Sequence, residues 1–217
     1  EGKTLETRFG LPAGFVRTET STNSFAAYLR QLQLKPNNSP VLLYSGTEKN
    51  KQDVHAAVID IEIGTRDLQL CAYAVIRLRS EYLLQAGRAG EIAFNFTSGD
   101  RARFAEYSKG YRPIIKGNSV SWKKSASPAT SYNTFRQYLD MVFTYAGTAS
   151  LGKELESVED FNDIQPGDVI IQGGHPGHAV IVIDMAQHKQ TGEKIIMLAQ
   201  SYMPAQDIHV LVNPHDE

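Results

Sequence analysis

Three side chains in this sequence could carry out nucleophilic chemistry together: Cys71, the one cysteine of the chain, His178 and Gln200. A thiol with a reference pKa of about 8.5 is mostly protonated at neutral pH, and it becomes a competent nucleophile where an imidazolium and a helix N-terminus favour the thiolate. The imidazole must itself be held in one tautomer, which a neutral amide does by bonding one ring nitrogen while the other faces sulfur. The roles that follow are nucleophile for Cys71, general base and then acid for His178, and orienter for Gln200.

Each of these must be positioned by a regular element. Asp67 is a credible N-cap for a helix over 68 to about 84, with Leu68, Cys71, Val75, Leu78 and Tyr82 on one stripe and Arg77 and Arg79 off it. That places Cys71 one turn in, facing the body of the protein. After a Pro166-Gly167-Asp168 turn the chain reads as strands over 168–172, 178–184, 194–200 and 208–212. With residues 186–192 as a hairpin connection, Asp184 falls opposite Lys194, Val182 opposite Ile196, and His178 opposite Gln200, where Cβ atoms would lie roughly 5 Å apart. A slip of two residues would keep every side chain on its face and remove that last pairing.

The rest of the chain supplies packing elements. Phe25, Tyr28 and Leu29 recur at helical spacing over 24–32, residues 35–40 form a loop, and 41–44 and 56–63 read as strands. A short strand over 92–96 leads into a polar insertion, about 97–130, predicted to be irregular, with Tyr107, Tyr111 and Trp122 scattered through it. Ser131 caps a helix carrying Phe135, Leu139, Val142 and Phe143, Gly147 ends it, and a helical piece over 150–156 follows. With no repeats or low-complexity tracts, the expectation is one α+β domain over 1–217, an antiparallel sheet packed on the Cys-bearing helix.

Composition bounds the function. Of 217 residues 41% are hydrophobic, enough for a sizeable core. Lys plus Arg number 22 against 24 Asp plus Glu, a formal charge of −2 with no basic block, which argues against a nucleic-acid partner. No apolar run reaches the roughly 18–20 residues of a membrane span. Because the chain opens on Glu1 rather than Met, it is expected to be a processed or trimmed product.

The run Ile164-Gln165-Pro166-Gly167-Asp168-Val169-Ile170, followed after a short turn by Gly177-His178-Ala179-Val180-Ile181-Val182, resembles the "PGD…GHVGI" stretch of NlpC-type and CHAP-type amidohydrolases. The resemblance implies a papain-like fold, in which the Asp begins one strand and the His the next. It also implies Cys71 and His178 as the thiol and imidazole of such a site, for which no cofactor is needed. Two features depart from the pattern: the cysteine context is Gln69-Leu70-Cys71-Ala72, and the interval from Cys to His is long. Across nearly its whole length the chain is similar to a bacterial domain-of-unknown-function family, typically exported and often lipoprotein-like. The segments that carry this are Asp67-Leu68-Gln69, Cys71-Ala72, Arg77-Leu78-Arg79, Ala146-Gly147-Thr148, Pro166-Gly167-Asp168 and Ala199-Gln200-Ser201-Tyr202-Met203-Pro204-Ala205-Gln206. Tyr73 stands where that family usually has Asp, and His175 where it usually has Ser. This likeness implies an exported protein, periplasmic, envelope-anchored or extracellular.

Plainer readings stand beside each residue. Cysteine is often buried as a small hydrophobe, His178 could be a satisfied strand-end histidine, and Gln200 could simply brace a loop; their joint placement is what argues for chemistry. His175 and His178 form an HxxH pair with His209 on a later strand, but His175 lies in a Gly-Gly-His-Pro-Gly turn, so the spacing gives no shared face for zinc. Asn95-Phe96-Thr97-Ser98-Gly99 lacks both the Gly-x-Ser-x-Gly elbow and the Gly-Lys-Ser/Thr phosphate loop. The expectation is a cysteine amidase or peptidase acting on a peptide or peptidoglycan-like amide in the cell envelope. The rival is a non-catalytic module that binds a glycan or protein through the aromatic-rich insertion.

Overall fold

The computed structural model describes residues 2–174 and 176–214, so His175 of the HxxH pair lies outside the described residues. Along the chain come α1 (Leu5–Arg8), β1 (Phe15–Arg17), α2 (Phe25–Arg30), β2 (His55–Val58), α3 (Cys71–Gln85), β3 (Ala93–Asn95), β4 (Arg101–Arg103), α4 (Phe104–Ser108), β5 (Tyr111–Lys116), β6 (Ser119–Lys124), α5 (Tyr132–Tyr145), α6 (Thr148–Glu154), β7 (Val169–Gln172), β8 (His178–His188), β9 (Lys194–Gln200) and β10 (His209–Leu211). The protein is mixed α+β, and its chain divides into two compact units. No described helix is long and apolar enough to cross a membrane.

The first unit takes residues 1–75, 158–170 and 179–217. Its sheet runs in the order β1-β8-β9-β10-β2, with β7 also paired to β8. The apolar run Ala179 to Ile183 lets β8 lie inside this sheet, and Ile164, Val182 and Met185 pack there with Ile196 and Leu198. β2 is an edge strand whose far side is covered by the chain over 33–35: Lys35 N–H donates to Val58 O at 2.9 Å, and Leu34 bridges Ile59. Of the strands expected over 41–44 and 56–63, the first is reduced to isolated bridges and the second ends at Val58.

The register of β8 against β9 corrects the sequence reading. Val182 faces Leu198 and Ile181 faces Ala199, a slip of two residues from the expected pairing, and continued by one step this sets Gln200 against Val180. The reason lies at the other end of the strand. β8 runs on to His188, so the connection shortens to the loop after His188, closed by Gly192 N–H to His188 O at 3.0 Å. A bulge between Val182 and Asp184 then absorbs one further residue. Asp184 does not meet Lys194, whose partner is Gln187; it is buried between Arg17 and Arg30, with Nε to carboxylate distances of 2.7 Å to each.

The second unit takes residues 76–157 and 171–178. Its core is aromatic: Phe104 meets Phe135 edge-on at 5.7 Å and Tyr138 at 5.3 Å, and the buried Tyr138 hydroxyl donates to Ala102 O at 2.9 Å. Here the insertion expected to be irregular is regular. It holds β4, α4 and the hairpin β5–β6, in which Lys116 pairs with Ser119 across a two-residue Gly117-Asn118 turn with Gly117 at φ +58. The alternating pattern of this hairpin is masked because only one side is half-buried and charged residues hold the other. Trp122 stacks on Phe96 at 6.0 Å, and the Arg112 guanidinium lies 3.5 Å over the ring of the buried Tyr107, so these aromatics cover a core. Ser131 caps α5 as its sequence requires, accepting from Thr134 N–H at 3.1 Å. Ser131→Ala is expected to lower stability by about 1 kcal/mol in urea unfolding, the usual worth of an N-cap.

Candidate functional site

Helix α3 begins at Cys71 itself, three residues later than its sequence suggests when Asp67 is taken as the cap with Leu68 the first helical residue. The Asp67 carboxylate is drawn to a distant partner, its Oδ1 accepting from Ala205 N–H at 2.7 Å. Residues 66–70 instead fold through tight turns, with Leu68 N–H to Arg66 O at 2.8 Å and Leu70 N–H to Leu68 O at 3.0 Å. The Leu70 carbonyl then accepts from Tyr73 and Ala74, and the N–H groups of Cys71 and Ala72 meet no acceptor among the described residues. Cys71 therefore stands in the first turn, at the positive end of the helix dipole, rather than one turn in. Its side chain is buried, with 7% of the residue's surface exposed. Tyr73 is close by; burial, with the Cys71 charge adding to it, pushes its phenol up to about 12, so it is a neutral hydroxyl at physiological pH.

The end of β9 is stitched to this helix entrance. Ser201, fully buried, donates to Gln69 O at 2.9 Å and lies at the same distance from Gln206 O. Gln200 and Cys71 are thereby each within two residues of one buried hydrogen bond, on chain segments that lie far apart in sequence. Gln200 has His209 as its cross-strand neighbour in β10, with the amide nitrogen 3.4 Å from His209 Nε2. His209 Nδ1 is 2.9 Å from Asp207 O. A carbonyl only accepts, so Nδ1 carries the proton and Nε2 accepts from Gln200. His55 on β2 continues the row, its ring edge-on to His209 at 6.1 Å and its Nε2 donating to Ser39 O at 3.1 Å. Burial drives the His209 imidazole down to about 4, the hydrogen bond to the Asp207 carbonyl opposes this in part, and the charges of Lys49 and His55 lower it by smaller amounts.

A polar row Gln200–His209–His55 thus crosses β9, β10 and β2 inside the first unit. The sequence reading gave Gln200 to His178 and considered His209 only as a metal ligand. The signal for the row was a histidine set between Ile208 and Val210, since an imidazole at a core position must find polar partners. His178 opens β8 and is half-buried at the last residue of the second unit. In that unit Arg77, expected off the apolar stripe of its helix, is 2% exposed and donates from Nε to Glu81 at 2.7 Å and from Nη2 to the Tyr132 hydroxyl at 3.2 Å. Tyr202, also left open by the sequence, is 45% exposed on the segment after Gln200. Among the described residues no three His, Cys, Asp or Glu side chains gather as for a metal ion.

The family model described as Domain of unknown function (4846) matches residues 5–217. No curated protein and no solved structure matches the chain.

Proposed function

Since the chain belongs to the Domain of unknown function (4846) family, a premise that leaves the reaction to be read from the residues, we propose that it is a papain-like cysteine hydrolase. It cleaves an amide in a peptide or peptidoglycan-like substrate, in the cell envelope or outside the cell. Cys71 sulfur attacks the carbonyl carbon, His178 takes the thiol proton and passes it to the leaving amine, and water then releases the acid from the thioester. The N–H groups of Cys71 and Ala72 steady the oxyanion. Gln200, held by His209, is the positioning residue.

The observation that carries this reading is the buried Ser201–Gln69 hydrogen bond, which fixes the strand end bearing Gln200 against the entrance of the helix that begins with Cys71. The order of elements supports it as well: a helix headed by the thiol and, later in the chain, β7 followed by β8, which begins with His178. The burial of Cys71 favours a second reading, a non-catalytic binding module in which the thiol is only a packing residue.

Alkylation separates the two. Iodoacetamide at neutral pH is expected to modify Cys71 in the folded protein, as seen by mass spectrometry, and to do so about a hundredfold more slowly in His178→Ala, the low end of what a positioned base contributes. Modification that needs denaturant, or that is indifferent to His178, leaves the binding module standing and the hydrolase rejected.

A further inference from the structure

Away from Cys71, the loop over 36–40 and the edge strand β2 border an open polar cavity of about 420 Å³. That volume falls within the roughly 300–1,000 Å³ typical of small-ligand sites. Two opposite charges stand on its wall, Arg8 and Glu48. Neither forms an ion pair with the other or with any described residue.

Among the described residues, Arg8 is held in place by neutral groups alone. Its Nε donates to Gly2 O at 2.6 Å, and Nη1 and Nη2 both donate to Lys35 O at 3.2 Å. Three of its five N–H groups are used in this clamp, and no carboxylate among the described residues answers its charge. Other polar groups in the lining are already committed: the Gln52 amide braces Val41 and Lys49, and His55 pins Ser39. The Asn37 and Asn38 side chains make no hydrogen bond among the described residues, and both border the cavity. A simple anion drawn to Arg8 would meet Glu48, and a simple cation drawn to Glu48 would meet Arg8. A molecule carrying both charges satisfies both walls, and the two asparagines can bond an amide between them.

We propose that this cavity binds short zwitterionic peptides, with the free carboxylate on Arg8 and the free ammonium on Glu48. Binding here does not depend on Cys71 chemistry, and it is read without turnover. The test is a ¹H–¹⁵N NMR titration of the full chain carrying Cys71→Ala, using L-alanyl-L-alanine, its N-acetyl form and its C-terminal amide. The unmodified dipeptide is expected to shift the amide signals of Asn37, Asn38, Ser39 and Ala56. Each blocked form should bind about fivefold more weakly, as befits charge pairs screened by solvent. Adding Glu48→Gln, a change on an exposed side chain, should abolish the preference for the free ammonium and retain that for the free carboxylate. Absence of shifts at those four amides, equal binding of all three molecules, or an unaltered ammonium preference with Glu48→Gln would each overturn the proposal.

Discussion

Asp184→Asn is expected to destabilise the protein by about 3–5 kcal/mol, the largest effect of any single substitution considered, because it leaves a buried charge without its partner. One carboxylate serves two guanidiniums: Oδ2 accepts from Arg17 and Oδ1 from Arg30, each at 2.7 Å, and Oδ1 also accepts from Met185 N–H at 2.9 Å. The side chains of Asp184 and Arg30 retain only 5% and 8% of their exposure. Asparagine keeps the shape but presents an uncharged amide to two cations in a site from which water is largely excluded. The same bonds hold the strand where its bulge occurs, so the loss falls on β8 itself. Urea unfolding should show a large fall in the midpoint. Glu91→Gln is the contrasting control: the Arg88–Glu91 pair is as short, at 2.6 Å, and holds the Glu91 carboxyl below its usual range, but it is exposed and should leave the midpoint unchanged. An unchanged midpoint in Asp184→Asn would mean that the two arginines find other partners.

Acidification should expose the cost of the buried His209. Its imidazole ionises at about 4 in the folded chain against 6.5 for an unperturbed histidine, chiefly because burial disfavours the cation. Between those two values the unfolded chain takes up a proton that the folded chain refuses, so unfolding is favoured as pH falls. The stability tied to His209 is complete above pH 6.5, declines through the window from 6.5 to 4, and loses nothing further below it. The loss across the window is on the order of 3 kcal/mol. His209→Gln cannot ionise and should remove this slope from the stability profile while other groups continue to titrate. If wild type and variant fall in parallel over that window, His209 is not the group responsible.

Both effects depend on contacts that the sequence indicates only in part. Helix α5 was legible because Ser131 caps it and Phe135, Leu139, Val142 and Phe143 recur on one face, and all four are buried. The bounds of β9 were legible as well, 194–200, since an apolar run ends there at polar residues. These features are local: a cap and a periodicity reside in a few neighbouring residues. The β5–β6 hairpin was missed even though its turn contains glycine, because an exposed two-stranded ribbon has too thin an apolar stripe to stand out from its lysines and serines.

At the candidate site, the sequence supplied the identities of the chemical groups, and the fold supplied their partners. Cys71 was recognisable as a helix-borne thiol, yet the Asp67 carboxylate expected to cap its helix is drawn instead to Ala205, 138 residues away. Gln200 was recognisable as an amide at a strand end, yet its neighbour in the sheet is His209.

By itself the sequence determined helices α2, α3, α5 and α6 and strands β7 to β10 in outline, and the presence of one thiol, one strand-opening imidazole and one strand-end amide. Only the tertiary structure decided the β8–β9 register, the burial of Asp184 between two arginines and the row from Gln200 to His55. The physical reason is that side-chain alternation repeats every two residues, so a slip of two leaves the local pattern unchanged. Long-range hydrogen bonds and ion pairs then choose between registers that look the same along the chain.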